Sequence, residues 1–484
     1  MEVREAVGPM LDLFDMIRVL LIPLLLGMGL LRSMGIGVRS DPLAWPGLAW
    51  IVGSLATALL VFLWLFLGPL PASPRLPEAL ALGLALLSWS YGKRFVPMAG
   101  PPRPRQVASW ENILFGTVLA LLILLVCARI IDATLFPVLI GDEADHWGMK
   151  TQILWESGGF TDAWKVAMAD PHSVYHKDYP LLNPLLQIWV HAHAGQLVHV
   201  ANRLPIQLFS LAGLLVLASG LYRLLRPTAA ALLLCLAVAP GWSQIQARSG
   251  DADFMVGLGA LVAFVFAIRG HRTRQAAWTR MAFVGLAFML WSKNESQLYL
   301  LSLLGAGIVW AALQPRRIRS AIRWNRAWMW ALVPLGILLI HHGFNFHYGI
   351  VSTFSKHEEG NLLTLFLENL GQNGPAVLSY FSSQVFFRPD HSNLLFPLML
   401  VLLIAYWQKI FHRAHLALPA LALLLAMLGI LCVLIASPVD VHWLLATAAQ
   451  RVSFQLYFCW IFWIALAAHD LRVTPALSPR PLAT

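Results

Sequence analysis

Residues 112–131 read NILFGTVLALLILLVCARII, and residues 141–147 soon after read GDEADHW. The first stretch is apolar over about the 20 residues that an α-helix needs to cross a bilayer. The second sets three carboxylates and a histidine at Asp142, Glu143, Asp145 and His146. Only 12% of this chain is charged, and so much charge beside a membrane is costly unless it is used. Together the two stretches say membrane helix, then reactive edge.

The pattern repeats outward along the 484 residues, which are 58% hydrophobic with a mean hydropathy of +0.68. A soluble domain cannot hide that much apolar surface. The alternation of a β-barrel is absent, so helices must satisfy the backbone in lipid. The chain therefore reads as an all-α polytopic membrane protein with about 13 transmembrane helices. The expected spans are residues 14–31, 48–67, 78–91, 112–131, 204–222, 229–242, 254–268, 281–291, 298–313, 327–340, 394–407, 416–435 and 454–468. Residues 1–15 mix acids, a proline and a glycine with no small-residue cleavage site, so a cleaved signal peptide is not expected. The four cysteines, Cys127, Cys235, Cys432 and Cys459, fall inside expected spans without metal-ligand spacing. They read as packing residues rather than a disulfide framework.

The net charge of +10 does not point to nucleic acid, because the basic residues cluster in short connectors between apolar runs. Lys93, Arg94, Arg103 and Arg105 share one connector, Arg269 to Arg280 another, and Arg316 to Arg326 a third. By the positive-inside rule these face the cytoplasm. The opposite side then carries 16 of the 24 acids beyond the fourth span. Two of its loops, residues 132–203 and 341–392, are too long to be turns. Within the first, residues 149–156 read as a short amphipathic helix, and 181–200 as an interfacial helix rather than a further span, because of His191, His193, His199 and the turn-like Tyr179-Pro180. Within the second, residues 362–370 read as a helical piece along the surface.

Five polar constellations fall on this outer side. The first is Asp142 to His146, where crowded carboxylates perturb one another as they do in reactive sites; a solvated loop is the plain alternative. The second is His172 to Pro180, HSVYHKDYP. His172 and His176 have zinc spacing if helical, but Pro171 and Pro180 favour a loop whose Tyr, His and Asp suit sugar hydroxyls. The third, Arg248 to Asp253, offers either a helix cap at Asp251 or two acids for a divalent cation. The fourth is Ser292-Lys293-Asn294-Glu295, a cation near the bilayer that is either paired with an anion or snorkelling. The fifth is Asp440-Val441-His442-Trp443 with Arg451, where a cation on the outer side breaks the orientation bias and suits a bound anion such as phosphate.

These motifs resemble, in order and sidedness, the GT-C superfamily of integral-membrane glycosyltransferases. The likeness is to bacterial relatives of protein O-mannosyltransferase and of the lipid A aminoarabinose transferase. Asp142-Glu143 stands where that family has an acidic motif in its first large outer loop, with Trp147 and Lys150 following in register. His176-Lys177-Asp178-Tyr179-Pro180, Gly250-Asp251-Ala252-Asp253, Lys293-Asn294-Glu295, and His442, Thr447 and Arg451 are similar to its later elements. The resemblance covers residue 112 to the C-terminus. It departs in placing three spans ahead of the usual first, and in Ser296 where a glycine is usual.

The resemblance implies a GT-C-like catalytic module over residues 111–484, preceded by extra helices over 1–110. It implies a bacterial inner-membrane enzyme with a periplasmic active side. The donor is a polyprenyl-phosphate-linked sugar, transferred with inversion to a hydroxyl on a glycolipid, glycan or protein. Membrane lipids are the other partners, and nucleic acid is not one. Asp142, with Glu143, supplies the general base. Lys293 and Arg451, with Arg248 third, stabilise the leaving phosphate. Lys150, His176, Asp178, Tyr179, Asp253, Glu295 and His442 complete the substrate site, and Asp145, His146 and Asp251 remain candidate ligands of a divalent cation. Two other classes compete. A flippase or transporter for lipid-linked saccharides would place its charges at mid-membrane on broken, repeated helices. An O-antigen ligase or polymerase would lean on arginines and a histidine in the later loop. A structural membrane scaffold is the plain third.

Overall fold

The computed structural model describes residues 11–68, 74–92, 108–134, 143–170, 174, 176–199, 201–241, 249–315, 326–351, 362–388 and 394–473. Every regular element among them is helical. In chain order these are α1 (Leu13–Ser33), α2 (Trp45–Leu67), α3 (Arg75–Gly92) and α4 (Ser109–Thr134). A π-turn, Glu143–Gly148, leads into α5 (Met149–Glu156), then α6 (Asp162–Ala169) and α7 (Leu182–Ala194). Next come α8 (Leu204–Leu224), α9 (Pro227–Val238), α10 (Asp253–Thr273), α11 (Ala276–Ser292), α12 (Glu295–Leu313) and α13 (Leu332–His347). The chain finishes with α14 (Leu362–Tyr380), α15 (Leu395–Phe411), α16 (Ala414–Ala436), α17 (residues 441–454, with a π-turn at Leu445–Ala449) and α18 (Tyr457–Val473).

Eight helices among the described residues are long and apolar enough to cross a membrane: α1, α2, α4, α8, α10, α12, α13 (from Ala327) and α16. The pair α17 and α18, bent by 40° at their junction, makes a ninth if taken as one span. The protein is therefore a multi-pass helical membrane protein. The larger expected count of about 13 rests on α3, α9, α11 and α15, which are helical where spans were expected but shorter or less apolar. At 12 residues, α9 rises only ~18 Å, well short of a ~30 Å hydrocarbon core.

Burial ranks the helices. Of its most apolar window, α10 buries 83% and α8 78%, whereas α4 buries 22%. So α8 and α10 form the axis and α4 lies at the rim. Helix α10 pairs with α11 as a hairpin and also packs against α8 and α18, while α2 packs against α7 and α8. The first three helices are built into this bundle. Trp189 on α7 donates to the Val19 carbonyl at 3.1 Å, and Trp50 on α2 to the Pro205 carbonyl at 3.3 Å. At one end of the axis Asp41 is buried against Arg269, with Arg223 at 3.4 Å and the Ser219 hydroxyl at 2.7 Å. Burial alone would raise that carboxyl; the two arginines hold it below the usual range instead.

Two expectations change. Residues 149–156 do form a helix, with the expected bounds. The expected interfacial helix at 181–200 is instead α7, in which every residue from Leu182 to His193 is buried. The reason is that α1, α2 and α5 cover it, and its polar stripe is satisfied internally: Asn183 donates to the Gly250 carbonyl at 2.6 Å, Gln187 accepts from Asn202 at 2.9 Å and His191 Nδ1 accepts from the Val198 amide at 3.1 Å, as buried polar groups require. The piece expected at 362–370 continues to Tyr380 as α14. It packs along α16 and leaves Leu363, Leu367, Leu370 and Leu378 exposed.

Candidate functional site

The site is assembled at the end of the axis opposite Asp41, about 24 Å away by the rise of α10 between Asp253 and Arg269. Asp253 is the first residue of α10. Lys293 sits in extended backbone at the tight connection from α11 to α12, and Glu295 opens α12. Arg451 lies in α17 just past its π-turn, and Gln455 lies at the break before α18. A Cβ on Gly257, one turn into α10, would lie 2.2 Å from the Gln455 carbonyl oxygen. Only glycine there lets the break approach α10 closely enough to bring Gln455 and Arg451 onto Asp253.

The charges meet around Asp253, which is buried. Lys293 Nζ lies 3.0 Å from Asp253 Oδ1 and 3.0 Å from Glu295 Oε1. Arg451 Nε lies 3.3 Å from Asp253 Oδ2. Gln455 Nε2 donates to Asp253 Oδ1, and the Gln455 side-chain oxygen accepts from the Tyr299 hydroxyl at 2.7 Å. Burial alone would drive Lys293 toward the neutral amine; Asp253 and Glu295 outweigh it and hold the ammonium well above its ordinary value. Lys293 is thus a buried, doubly paired cation and does not snorkel.

The 176–181 loop closes over this network. Tyr179 lies under Lys293, whose Nζ is 5.4 Å from the ring centroid, and its hydroxyl is 3.4 Å from Glu295 Oε1. The His176 ring stacks on Tyr179 at 4.4 Å, and Trp147 stacks on Tyr179 at 5.5 Å. Burial, reinforced by His146, Lys293, Lys150 and Arg451, pushes His176 down to about 3. Burial raises the Tyr179 hydroxyl well above its ordinary value. Asn294 donates to Asp178 Oδ2 at 2.7 Å, which ties the loop to the α11–α12 connection.

Lys150 has a different place from the substrate contact expected of it. It is buried on α5, and its Nζ donates to the carbonyls of His176, Lys177 and Tyr179 at 3.1, 3.0 and 2.9 Å. An ammonium has three donors, and here each has a backbone acceptor. Burial pushes Lys150 down to about 7, an effect Asp178 partly offsets. These three bonds fasten the loop to α5.

Glu143 lies at the rim. Its carboxylate accepts from Arg203 Nη1 at 3.0 and 3.2 Å. A Cβ on Gly250 would sit 2.4 Å from Glu143 Oε1, so this pair closes against the segment leading into α10. The helix cap expected at Asp251 is not there: the N-cap position of α10 is Ala252, with no side-chain hydrogen bond. His146 is buried with its ring 4.7 Å from that of His176, while Asp145 is exposed. Among the described residues no three His, Cys, Asp or Glu side chains come together as metal ligands. Asp145, His146 and Asp251 therefore form no joint cation site there. Asp142, His172 and Arg248 lie outside the described residues.

The structure thus brings together Lys150, His176, Asp178, Tyr179, Asp253, Lys293, Glu295 and Arg451, with Glu143 at the edge. His442 is apart. It is exposed at the far end of α17, lining a polar cleft of about 320 Å³ with Asn373, Ser437 and Asp440. Asp440 caps that helix by accepting from the Trp443 amide at 2.8 Å. The sequence reading missed Arg203, Tyr299, His341, Asn345 and Gln455. His341 Nε2 is 3.2 Å from Asn294 Oδ1, and Asn345 donates to the Asp178 carbonyl at 3.3 Å. Arg203 carried the same signal as Arg451, a cation on the acid-rich side of the chain.

No protein-family model, curated protein or solved structure matches the chain.

Proposed function

We propose that the chain is a glycosyltransferase of the bacterial inner membrane. It transfers a sugar, with inversion, from a polyprenyl-phosphate donor to an acceptor hydroxyl on the periplasmic side. The observation that carries this is the buried meeting of Lys293 and Arg451 over Asp253 at one end of the bundle. These residues come from segments far apart in sequence, and Tyr179 and Glu295 join them. A departing phosphate needs fixed cations that do not have to reorganise as charge develops. Lys293 and Arg451, oriented by a shared carboxylate, are such a pair. The clustering of the charges at helix ends, rather than mid-helix, favours this over a flippase.

In this mechanism Arg451 and Lys293 receive the phosphate, His176, Asp178 and Tyr179 face the sugar, and Asp142 takes the proton of the acceptor hydroxyl. The test is transfer of labelled sugar from polyprenyl-phosphate sugars in membranes holding the protein. Asp142→Asn should abolish transfer at unchanged protein level, and Lys293→Ala should weaken the apparent donor affinity by about tenfold or more. Full transfer by Asp142→Asn removes that residue as base. No transfer by the wild type with any donor and acceptor tried removes the proposed activity.

A further inference from the structure

The buried seam between the 176–181 loop and the α11–α12 connection contains two carboxylate oxygens without a hydrogen-bond partner among the described residues. Asp178 is buried, and its Oδ2 accepts from Asn294 at 2.7 Å, but its Oδ1 has no hydrogen-bond partner among the described residues. Glu295 Oε1 is 3.0 Å from Lys293 and 3.4 Å from the Tyr179 hydroxyl, yet its Oε2 is buried without a partner among those residues. A buried acceptor left without a donor costs about 1–3 kcal/mol, and more when charged, so such atoms are few and call for an explanation. The two belong to one seam, because Asn294 of the α11–α12 connection binds Asp178 and Glu295 follows it in sequence. The Glu295 side chain is 25% exposed, so the seam reaches the surface.

Both orphaned atoms are acceptors. A bound anion would be repelled by them, and an apolar tail would leave them unsatisfied. A ligand that donates hydrogen bonds answers both. We infer that Asp178 Oδ1 and Glu295 Oε2 form a sugar subsite that accepts hydrogen bonds from the hydroxyl or ammonium groups of the transferred sugar, beside the Lys293–Arg451 phosphate position. The stacked rings of His176, Tyr179 and Trp147 frame the loop that carries Asp178. The inference rests on the glycosyltransferase proposal for the identity of the ligand, but its test separates the two.

The dissociation constants of bare polyprenyl phosphate and of polyprenyl-phosphate-linked glucose and aminoarabinose are measured on the full-length protein in nanodiscs. The wild type should bind at least one sugar-bearing lipid about tenfold or more tightly than the bare lipid. The ratio should fall to near one in both Asp178→Asn and Glu295→Gln. These variants keep shape and remove the charged acceptor, and an unshifted unfolding midpoint in either shows that the fold survives. A ratio near one in the wild type, or one retained in both variants, overturns the subsite. Loss of the preference on chelation, restored by magnesium alone, also overturns it by making the two carboxylates metal ligands. Sugar-dependent binding without any transfer leaves the subsite standing and removes the enzyme. Transfer with a ratio near one does the reverse.

Discussion

Asp253→Asn tests whether the central network is an integrated charge cluster. The substitution conserves shape and removes one negative charge from a buried position that faces Lys293 at 3.0 Å and Arg451 at 3.3 Å. Lys293 keeps Glu295 as a counter-ion at 3.0 Å, but Arg451 loses the carboxylate it faces. Removing one member of a buried ion pair costs about 3–5 kcal/mol, most of it from the charge left behind. Asp253→Asn should fall in that range. Lys293→Met should cost about 3 kcal/mol, because Asp253 retains Arg451 and Gln455. The double variant removes one charge of each sign and leaves Arg451 and Glu295 to balance. It should therefore cost ~2 kcal/mol less than the sum of the single changes, within the range found for residues in contact. Unfolding of the purified protein in mixed micelles at increasing denaturing detergent gives all three values. Additivity within ~0.5 kcal/mol would mean that the two side chains do not share a buried site, and would refute the integrated cluster.

Three further outcomes follow from the site. His176 is pushed to about 3 in the folded protein against an ordinary value of about 6.5; folding therefore favours its neutral form, and the associated stability is full above the unfolded value and falls as pH drops toward 3. Between pH 7.5 and pH 5 the loss should be ~2 kcal/mol, visible as a falling unfolding midpoint, and His176→Phe should remove that part of the slope. Lys150→Met leaves three carbonyls without their ammonium donor and should cost ~2–4 kcal/mol. Hydrogen exchange should accelerate first in residues 176–181, and even protection changes across the whole bundle would contradict a local clamp. Gly257→Ala puts a methyl 2.2 Å from the Gln455 carbonyl and should cost about 1–3 kcal/mol. Gly336→Ala on α13, with nothing within 4 Å, should be neutral or stabilising, so equal losses at both glycines would place the effect elsewhere.

The helical, membrane-crossing character of the chain was legible in its apolar runs, and so was the helix at Met149–Glu156. The number of spans was less so, because apolar runs such as 229–242 mark a helix without fixing its length. Helix α7 shows why faces are hard to assign. Its histidines and neighbouring Pro180 suggested an interface, but the helices that bury it, α1 and α2, are far away in sequence. The site was legible as a set of polar residues held at one end of the bundle. That Lys293 meets Asp253 and Arg451 was not readable, since no local pattern links residues 40 and 158 positions away. The role of Lys150 was hidden for another reason. Its partners are backbone carbonyls, and backbone acceptors leave no mark in a sequence.

Charge balance orders the roles of the acids in the proposed reaction. Lys293 and Arg451 are already matched by Asp253 and Glu295, so a phosphate reaching the two cations must take the place of a carboxylate. The two carboxylates are not equally held. Asp253 is buried and bound by Lys293, Arg451 and Gln455. Glu295 has Lys293 and the longer contact to Tyr179, one oxygen without a hydrogen-bond partner among the described residues, and a partly exposed side chain. Displacing Asp253 would break three charge-assisted contacts in a buried place, whereas displacing Glu295 breaks one such contact next to solvent. Asp253 is thus the fixed member that aims the cations, and Glu295 is the member that yields. A lipid carrying both phosphate and sugar compensates that exchange, because its phosphate takes over Lys293 while a sugar donor takes over Glu295. Bare polyprenyl phosphate supplies only the first half, so the proposed reaction predicts a preference for the loaded donor over the spent carrier.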